Sequence, residues 1–392
     1  MQLVMPVQIL LGASLIFDSL LRFALLCLRW LKKPAPAVHL AGAVRTGNCH
    51  ILIPAHNEAG TIGATVTALQ QQLHEWPEAR VWVLADRCSD ATGAEAAEAG
   101  AQVAVRTTGP LGKGAVLAWW LQEHSSSWSE SDCVIVLDAD SRLAEGSLRA
   151  LRDAMQSDAI AAQAFVAPAA ASKAGKLAGW SEVLMQRIDD EARLRCGWNA
   201  PLRGTGMVFR VKVLAELAPR LHTLAEDLEL DVLLAARQAK VLFVPQAVVF
   251  DPKPQQTAGA SRQRARWLQG QWQVLRAYWP LALQALAKGG IGVWFLLWLL
   301  FLRPKTALMG LRVLLLLVGL LLGPSGVWLT GLALVGLALD ALYYLIGAAL
   351  VEDRARYLQD LLAAPRYVAM WLYSIGLATF RRGRRDWLKA GR

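Results

Sequence analysis

CHILIPAHNE, residues 49–58, opens as a strand and closes on polar side chains. Apolar residues dominate its first six positions, and the run is too short for a helix. A helix over 60–73 follows. Residues 80–85 repeat the strand pattern and lead into Ala85-Asp86-Arg87-Cys88-Ser89-Asp90. A helix over 91–100, a strand over 102–106, a helix over 113–124 and a strand over 133–137 continue the alternation. Strands and helices alternating at this spacing predict an α/β domain. Its sheet is mainly parallel and Rossmann-like, with helices on both faces. Such sheets bind ligands beyond the carboxyl ends of their strands.

Outward from this core the composition changes. Of 392 residues, 55% are hydrophobic and 18% charged. The apolar excess lies at the two ends, which excludes a disordered or fibrous chain. It predicts a soluble domain held between membrane segments. Residues 3–30 are long enough to cross a bilayer and lack the basic start and cleavage site of a signal peptide. Asp18 and Arg22 interrupt them four residues apart, on one helix face, where they neutralise each other. Pro34-Ala35-Pro36 reads as a linker.

At the other end, apolar runs cover 289–302, 306–323 and 326–350, with Gly323-Pro324-Ser325 as a tight turn. The first run is short for a span, so the expectation is three spans in all. Segments 176–194, 261–278 and 366–380 read as helices on the bilayer surface. The expected domains are a membrane helix at 1–33, a linker at 34–47 and a catalytic domain at 48–255. An interfacial region at 256–288, a membrane region at 289–350 and a basic tail at 351–392 follow.

The formal net charge is +10. Arg29, Lys32, Lys33, Arg303, Lys305, Arg354, Arg356, Arg381, Arg382, Arg384 and Arg385 flank apolar runs. That placement suits the cytosolic face of a membrane and not a nucleic acid. Cys27, Cys49, Cys88, Cys133 and Cys196 are odd in number and scattered, which argues against a disulfide framework and a structural zinc site. A reducing cytosol fits the central domain.

The polar clusters fall at strand ends. Asp138-Ala139-Asp140 puts two carboxylates after a strand, hard oxygen ligands for Mg²⁺ or Mn²⁺. Pro54-Ala55-His56-Asn57-Glu58 ends the first strand, and Asp86 to Asp90 end the second. Gly112-Lys113-Gly114 opens a helix. Singly, each also reads as a turn, a cap or a solvated charge. Together they set acids, a cation for phosphate and a metal-binding pair around one crevice. Further on come the acidic pair Glu226-Asp227 and Gln263-x-x-Arg266-Trp267, whose three named side chains share one helix face. That face also reads as an interfacial helix with a snorkelling Arg.

This ordered set resembles the family-2 inverting glycosyltransferases of the GT-A fold. More narrowly it resembles the membrane-embedded branch of cellulose, chitin, hyaluronan and poly-N-acetylglucosamine synthases. The resemblance covers residues 48–278 by motif. It implies that Pro54, His56, Asn57, Glu58, Asp86 and Asp90 hold the nucleotide, a uridine. It implies that Lys113 and Arg266 meet the diphosphate, that Asp138 assists at the nucleotide and that Asp140, with Asp138, ligates Mg²⁺ or Mn²⁺. Gly204, Thr205, Gly206, Gln263 and Trp267 would line the acceptor site. Asp227 would be the general base, with Glu226 beside it. Ala225 stands where many relatives have Thr.

Inverting transfer suits these residue types. One carboxylate takes the acceptor proton, and cations stabilise the departing diphosphate. The expected activity is that of a membrane hexosyltransferase acting on a nucleotide-sugar donor and extending a β-linked polysaccharide at the cytosolic face of a bacterial inner or plasma membrane. Transfer of one sugar to a lipid acceptor is the alternative. Membrane lipids, and a small membrane partner or a second copy, are the expected partners. A channel with a regulatory domain would leave the acidic motifs unexplained, and a silent binding subunit would have no need of Asp227.

Overall fold

The computed structural model describes residues 4–33, 46–124, 128–169, 173–252, 257–290, 293, 305–351, 353–362, 364–365, 368–371 and 373–374. The linker at Pro34-Ala35-Pro36, most of the 289–302 run, Arg303, most of the 366–380 segment and residues 375–392 of the basic tail lie outside these residues.

The alternation read from the sequence is present. Helix α1 spans Val4–Leu31. Strand β1 (Cys49–Ala55), α2 (Ile62–Gln70), β2 (Ala79–Asp86), α3 (Thr92–Glu98), β3 (Gln102–Arg106), α4 (Lys113–Glu123) and β4 (Cys133–Val136) follow. The second half adds β5 (Arg142–Leu143), α5 (Ser147–Met155), β6 (Ala161–Ala169), α6 (Lys173–Leu184), α7 (Glu191–Arg195), β7 (Met207–Arg210), α8 (Val211–Leu217), α9 (Glu226–Ala236) and β8 (Val241–Pro252). The helix expected over 60–73 is shorter, because a 3₁₀ turn over Leu73–Glu75 replaces its end.

The eight strands form one sheet in the order β3-β2-β1-β4-β7-β6-β8-β5. Strands β1 to β4 run parallel. Strand β7 runs against both β4 and β6, and β5 against β8. The sheet is therefore mixed, with two reversed strands the sequence reading did not separate. Both faces are covered. Leu52, Leu84, Val134 and Val136 enter one core, while Ile51, Ile53, Val83 and Ile135 enter the other. Burial on both faces explains why these strands read as continuous apolar runs.

This topology positions the site. The chain leaves β1 towards β2 on one side and returns to β4 on the other, so a crevice opens beyond their carboxyl ends. Strand β7 is antiparallel to β4 and pairs Met207 with Val136. Its entry loop therefore lies beside the Asp138–Asp140 turn.

Helix α10 runs from Thr257 to Lys288 and contains Pro280. Helix α1 packs on the Val327–Gly347 helix, which packs on the Lys305–Leu321 helix. Asp18 and Arg22 pair at 2.9 Å as expected, yet they are not isolated. Arg312 reaches Asp18 at 3.4 Å and Asp340 at 2.5 Å, and Ser19 Oγ donates to Asp340 at 2.9 Å. Arg22 and Arg312 thus face Asp18 and Asp340 in a balanced buried set, which avoids the cost of a lone buried charge.

Among the described residues one helix, Gly323–Leu350, is long and apolar enough to cross a membrane, and Leu308–Leu321 is a shorter apolar helix. A helix of this shorter length spans less than the roughly 30 Å of hydrocarbon.

The 176–194 segment departs from expectation. It is not one surface helix. Between α6 and α7 a π-helical turn, Met185–Asp190, widens the coil. Gln186, Ile188, Asp189, Asp190 and Arg193 are buried within the protein. Its polar face looked solvated in sequence because the groups that pair with it lie far away in the chain.

Candidate active site

The loops after β1 and β2 are zipped together. Asn57 Oδ1 accepts from Ser89 N at 2.7 Å, Glu58 N donates to Thr92 Oγ1 at 2.7 Å and Ala59 N to Asp90 Oδ2 at 3.3 Å. His56 Nδ1 lies 2.7 Å from the Asp86 carbonyl oxygen. Asn57 and Arg87 both hold a positive φ, at 55° and 48°. Such strain concentrates at binding sites. Asn57 and Asp90, expected to touch a nucleotide, therefore also build the loop walls.

Asp86 is fully buried, and both its oxygens are engaged. Arg106 reaches Oδ1 at 3.0 Å, and Arg87 grips both oxygens. The floor of the crevice between these loops is thus an Arg–Asp–Arg cluster. Arg106 was not singled out in the sequence, where it ends a strand like any solvated cation.

Lys113, at the start of α4, is the junction of the site. Its Nζ donates to Asp138 Oδ1 at 2.5 Å and to the Gly204 carbonyl at 2.7 Å, and lies 3.6 Å from Glu226 Oε1. Three distant segments meet on one ammonium group. Burial disfavours its charge, but Asp138, Glu226 and Asp227 outweigh that and raise its pKa. Lys113 therefore holds the crevice together through Asp138, Gly204 and Glu226.

The Gly204-Thr205-Gly206 loop lies under the Asp138 turn. Thr205 Oγ1 accepts from Asp138 N at 3.2 Å and sits 2.9 Å from Ser141 Oγ. Gln163, fully buried on β6, donates to the Thr205 carbonyl at 2.9 Å and accepts from Arg203 N at 2.9 Å. Gly206 has φ +66°, and a Cβ there would meet Val249 Cγ2 at 2.6 Å. Only glycine fits that approach. Thr205 is thus buried beneath the carboxylates, while Gly204 faces Asp227, whose Oδ2 would lie 3.9 Å from a Cβ at that position. Gln163 could have been noticed as one amide inside the buried run AAQAFVA, residues 161–167.

Glu226 and Asp227 open α9, where the helix N-terminus favours negative charge. Asp227 Oδ1 accepts from Leu228 N at 2.8 Å. Burial pushes the Glu226 carboxyl up to about 7, with Lys113 opposing and Asp227 adding to the rise. A folded pKa above the ordinary 4.5 means that the native state holds its proton longer, so Glu226 costs stability as pH rises through that interval. Once ionised, it would favour proton uptake at Asp227, the base that the resemblance implies. Transfer is therefore expected to rise with pH through about 7, and Glu226→Gln to flatten that limb in a pH–rate profile. An unchanged limb would assign it to another group.

Helix α10 reaches the acidic pair through Gly270 and Gln273. A Cβ on Gly270 would meet Ala225 Cβ at 2.8 Å, and Gln273 Oε1 accepts from Leu224 N at 2.9 Å. Gln263, Arg266, Gly270 and Gln273 recur at helical spacing, so Arg266 lies one turn from this contact on the same face. Trp267 beside it is 40% exposed.

Asp138 and Asp140 are both part-buried on their turn. Among the described residues no group of three or more His, Cys, Asp or Glu side chains could hold a metal alone. Two carboxylates match the way Mg²⁺ is held, with phosphate oxygens and water completing its shell. The donor set therefore fits such an ion.

The family model described as Glycosyl transferase family group 2 matches residues 133–351, more than half of the chain. No curated protein matches the sequence. A solved mannosyltransferase from Pyrobaculum calidifontis, in complex with GDP-Man and Mn²⁺, superposes with a TM-score of 0.58 at 16% identity, covering 96% of this chain and 99% of that one. That likeness is one of fold, and the mixed α/β sheet is that of the GT-A fold. Mannosyl-3-phosphoglycerate synthase from Rubrobacter xylanophilus superposes with a TM-score of 0.41 at 17% identity, over 62% of this chain and 79% of that one. For glucosyl-3-phosphoglycerate synthase from Mycobacterium tuberculosis, in complex with Mn²⁺, UDP and phosphoglyceric acid, the TM-score is 0.37 at 17% identity, over 55% and 75%.

Proposed function

The chain belongs to glycosyl transferase family group 2, and from that premise we propose that it moves one sugar from a nucleotide-sugar donor to an acceptor at a membrane surface, with inversion. The observation that carries this is the convergence of Asp138, Gly204 and Glu226 on Lys113. It supports a donor side at Asp138, an acceptor loop at Gly204 and an acidic pair at Glu226–Asp227 around one crevice. Asp227 takes the proton of the acceptor hydroxyl as its oxygen bonds to the anomeric carbon. The bond from that carbon to the diphosphate breaks on the opposite side, and the nucleoside diphosphate leaves. A divalent cation held by Asp138 and Asp140 would supply positive charge to the diphosphate when bound. Arg266, one turn from the acidic pair on α10, would add to it.

The membrane reading rests on exposed apolar side chains. Leu314, Leu317, Leu321, Val327, Trp328 and Leu334 face outward from the C-terminal hairpin, formed by the Lys305–Leu321 helix packed on the Val327–Gly347 helix, more than an aqueous surface tolerates as a patch. Trp267, Trp272 and Trp279 are exposed along α10, as on a helix lying in the interface. The basic flanks favour a cytosolic catalytic domain.

We favour a lipid-borne acceptor. Helix α1 and the C-terminal hairpin pack directly on one another around Asp18, Arg312 and Asp340. Among the described residues that contact is closed by ion pairs, which supports a lipid-borne acceptor over a polymer passing between these helices. Polysaccharide extension is the second reading, favoured by Gln263-x-x-Arg266-Trp267 on its α10 face; it needs a partner or a second copy to supply the conduit.

Membranes containing the full chain, given labelled UDP- or GDP-sugars with Mn²⁺ or Mg²⁺, test these readings. Label in the lipid fraction is expected, lost with EDTA and restored by the metal. High-molecular-weight product would favour the second reading. No turnover of any donor would sink both.

A further inference from the structure

The Met185–Asp190 turn faces three parts of the molecule at once. Gln186 clamps the edge of β6, accepting from Val166 N at 2.7 Å and donating to Val166 O at 2.8 Å. Asp189 turns to the membrane-side helices. Lys305 Nζ lies 3.0 Å from it, Tyr343 OH donates to it at 3.0 Å, and Arg22 Nη1 is 3.9 Å away. Asp190, the next residue, pairs with Arg203 of the loop that enters β7. All three turn residues are at most 1% exposed. A π turn places one more residue per turn than an α-helix, and such turns recur at functional sites. Within this turn the adjacent carboxylates serve different neighbours, Asp189 the Lys305 and Tyr343 side chains and Asp190 the Arg203 side chain.

Arg203 directly precedes Gly204, whose carbonyl holds Lys113, and Thr205, whose hydroxyl holds the Asp138 turn. Gln163 fixes the backbone of the same loop from β6. The Asp190–Arg203 pair is the loop's tie on the side of α1 and the C-terminal hairpin.

We propose that Asp190 is a positioning residue: through Arg203 it sets the acceptor-side loop 203–206 against Asp227, and through the shared turn it references that loop to the membrane helices. This rests on the transfer reading above. It predicts that acceptor chemistry is sensitive to the pair while donor chemistry is not.

The test uses membranes containing the full chain and two readouts from one labelled donor: hydrolysis to free sugar and transfer to endogenous acceptor. Asp190→Asn and Arg203→Met are each expected to lower transfer by about tenfold to a hundredfold, in line with a displacement of about 1 Å. Hydrolysis should stay within about twofold of the parent. The double variant should be no worse than either single one, as for residues acting through one contact. Arg203→Lys keeps the charge and should retain most transfer. Equal loss of hydrolysis and transfer would mark the pair as structural only and overturn the proposal. Unchanged transfer in both single variants, with an active parent, would also overturn it. An inactive parent would instead overturn the transfer reading, and this proposal with it.

Discussion

Asp227→Asn is expected to lower transfer by about a thousandfold, or about 4 kcal/mol in the barrier, while donor binding stays near its parent value. The geometry makes the substitution clean. Asp227 sits at the start of α9, with Oδ1 accepting from Leu228 N at 2.8 Å. An asparagine carbonyl can keep that hydrogen bond, so the helix start and the shape facing Gly204 survive. What is lost is the capacity to take a proton from the acceptor hydroxyl. The part-buried neighbour Glu226 has its carboxyl pushed up to about 7 by burial, and its approach to Lys113 at 3.6 Å ties it to the crevice wall. Titration of donor by calorimetry and transfer assays on the same preparation separate the two effects. Near-normal transfer in the variant would remove Asp227 as the base and make Glu226 the next group to test.

The first half of the sheet was legible because its signal is local. Strands β1, β2, β3 and β4 carry unbroken apolar runs, and the polar clusters at their ends were found from the runs themselves. The second half was not resolved in the same way. Strand β5 has two residues, too few for a period. Strand β7 runs antiparallel between two parallel neighbours, and pairing direction leaves no mark in four apolar residues. Site residues divide along the same line. Asp138, Asp140, Glu226 and Asp227 announce themselves as carboxylates at element ends. Gln163, Arg106, Asp190 and Arg203 do not, because each earns meaning only from a partner 13 to 42 residues distant in the chain. Asp18 and Arg22 were read as a pair from their spacing; that Arg312 joins Asp18, and Asp340 joins Ser19, depends on separations of 294 and 321 residues.

Lys113→Met should show how much of the site depends on one such long-range junction. The substitution keeps the length of the side chain and removes the charge. Asp138, Glu226 and the Gly204 carbonyl would then lose a common donor. Leaving buried acids without their cation costs roughly 3–5 kcal/mol in a dry interior. The Asp138 side chain is 42% exposed, so solvent offsets part of that, and about 2 kcal/mol is the expected loss. Thermal unfolding in detergent should begin roughly 5 °C lower. The catalytic effect should be larger, because the carboxylate turn, the acceptor loop and the acidic pair would no longer share a fixed point. A displacement of about 1 Å among them is enough for a hundredfold fall in transfer. Lys113→Arg, which keeps the charge but not the shape, should recover stability more than activity. If Lys113→Met instead kept its stability and lost only donor affinity, the ammonium group would be a diphosphate ligand after all, and the three-way junction would be incidental to catalysis.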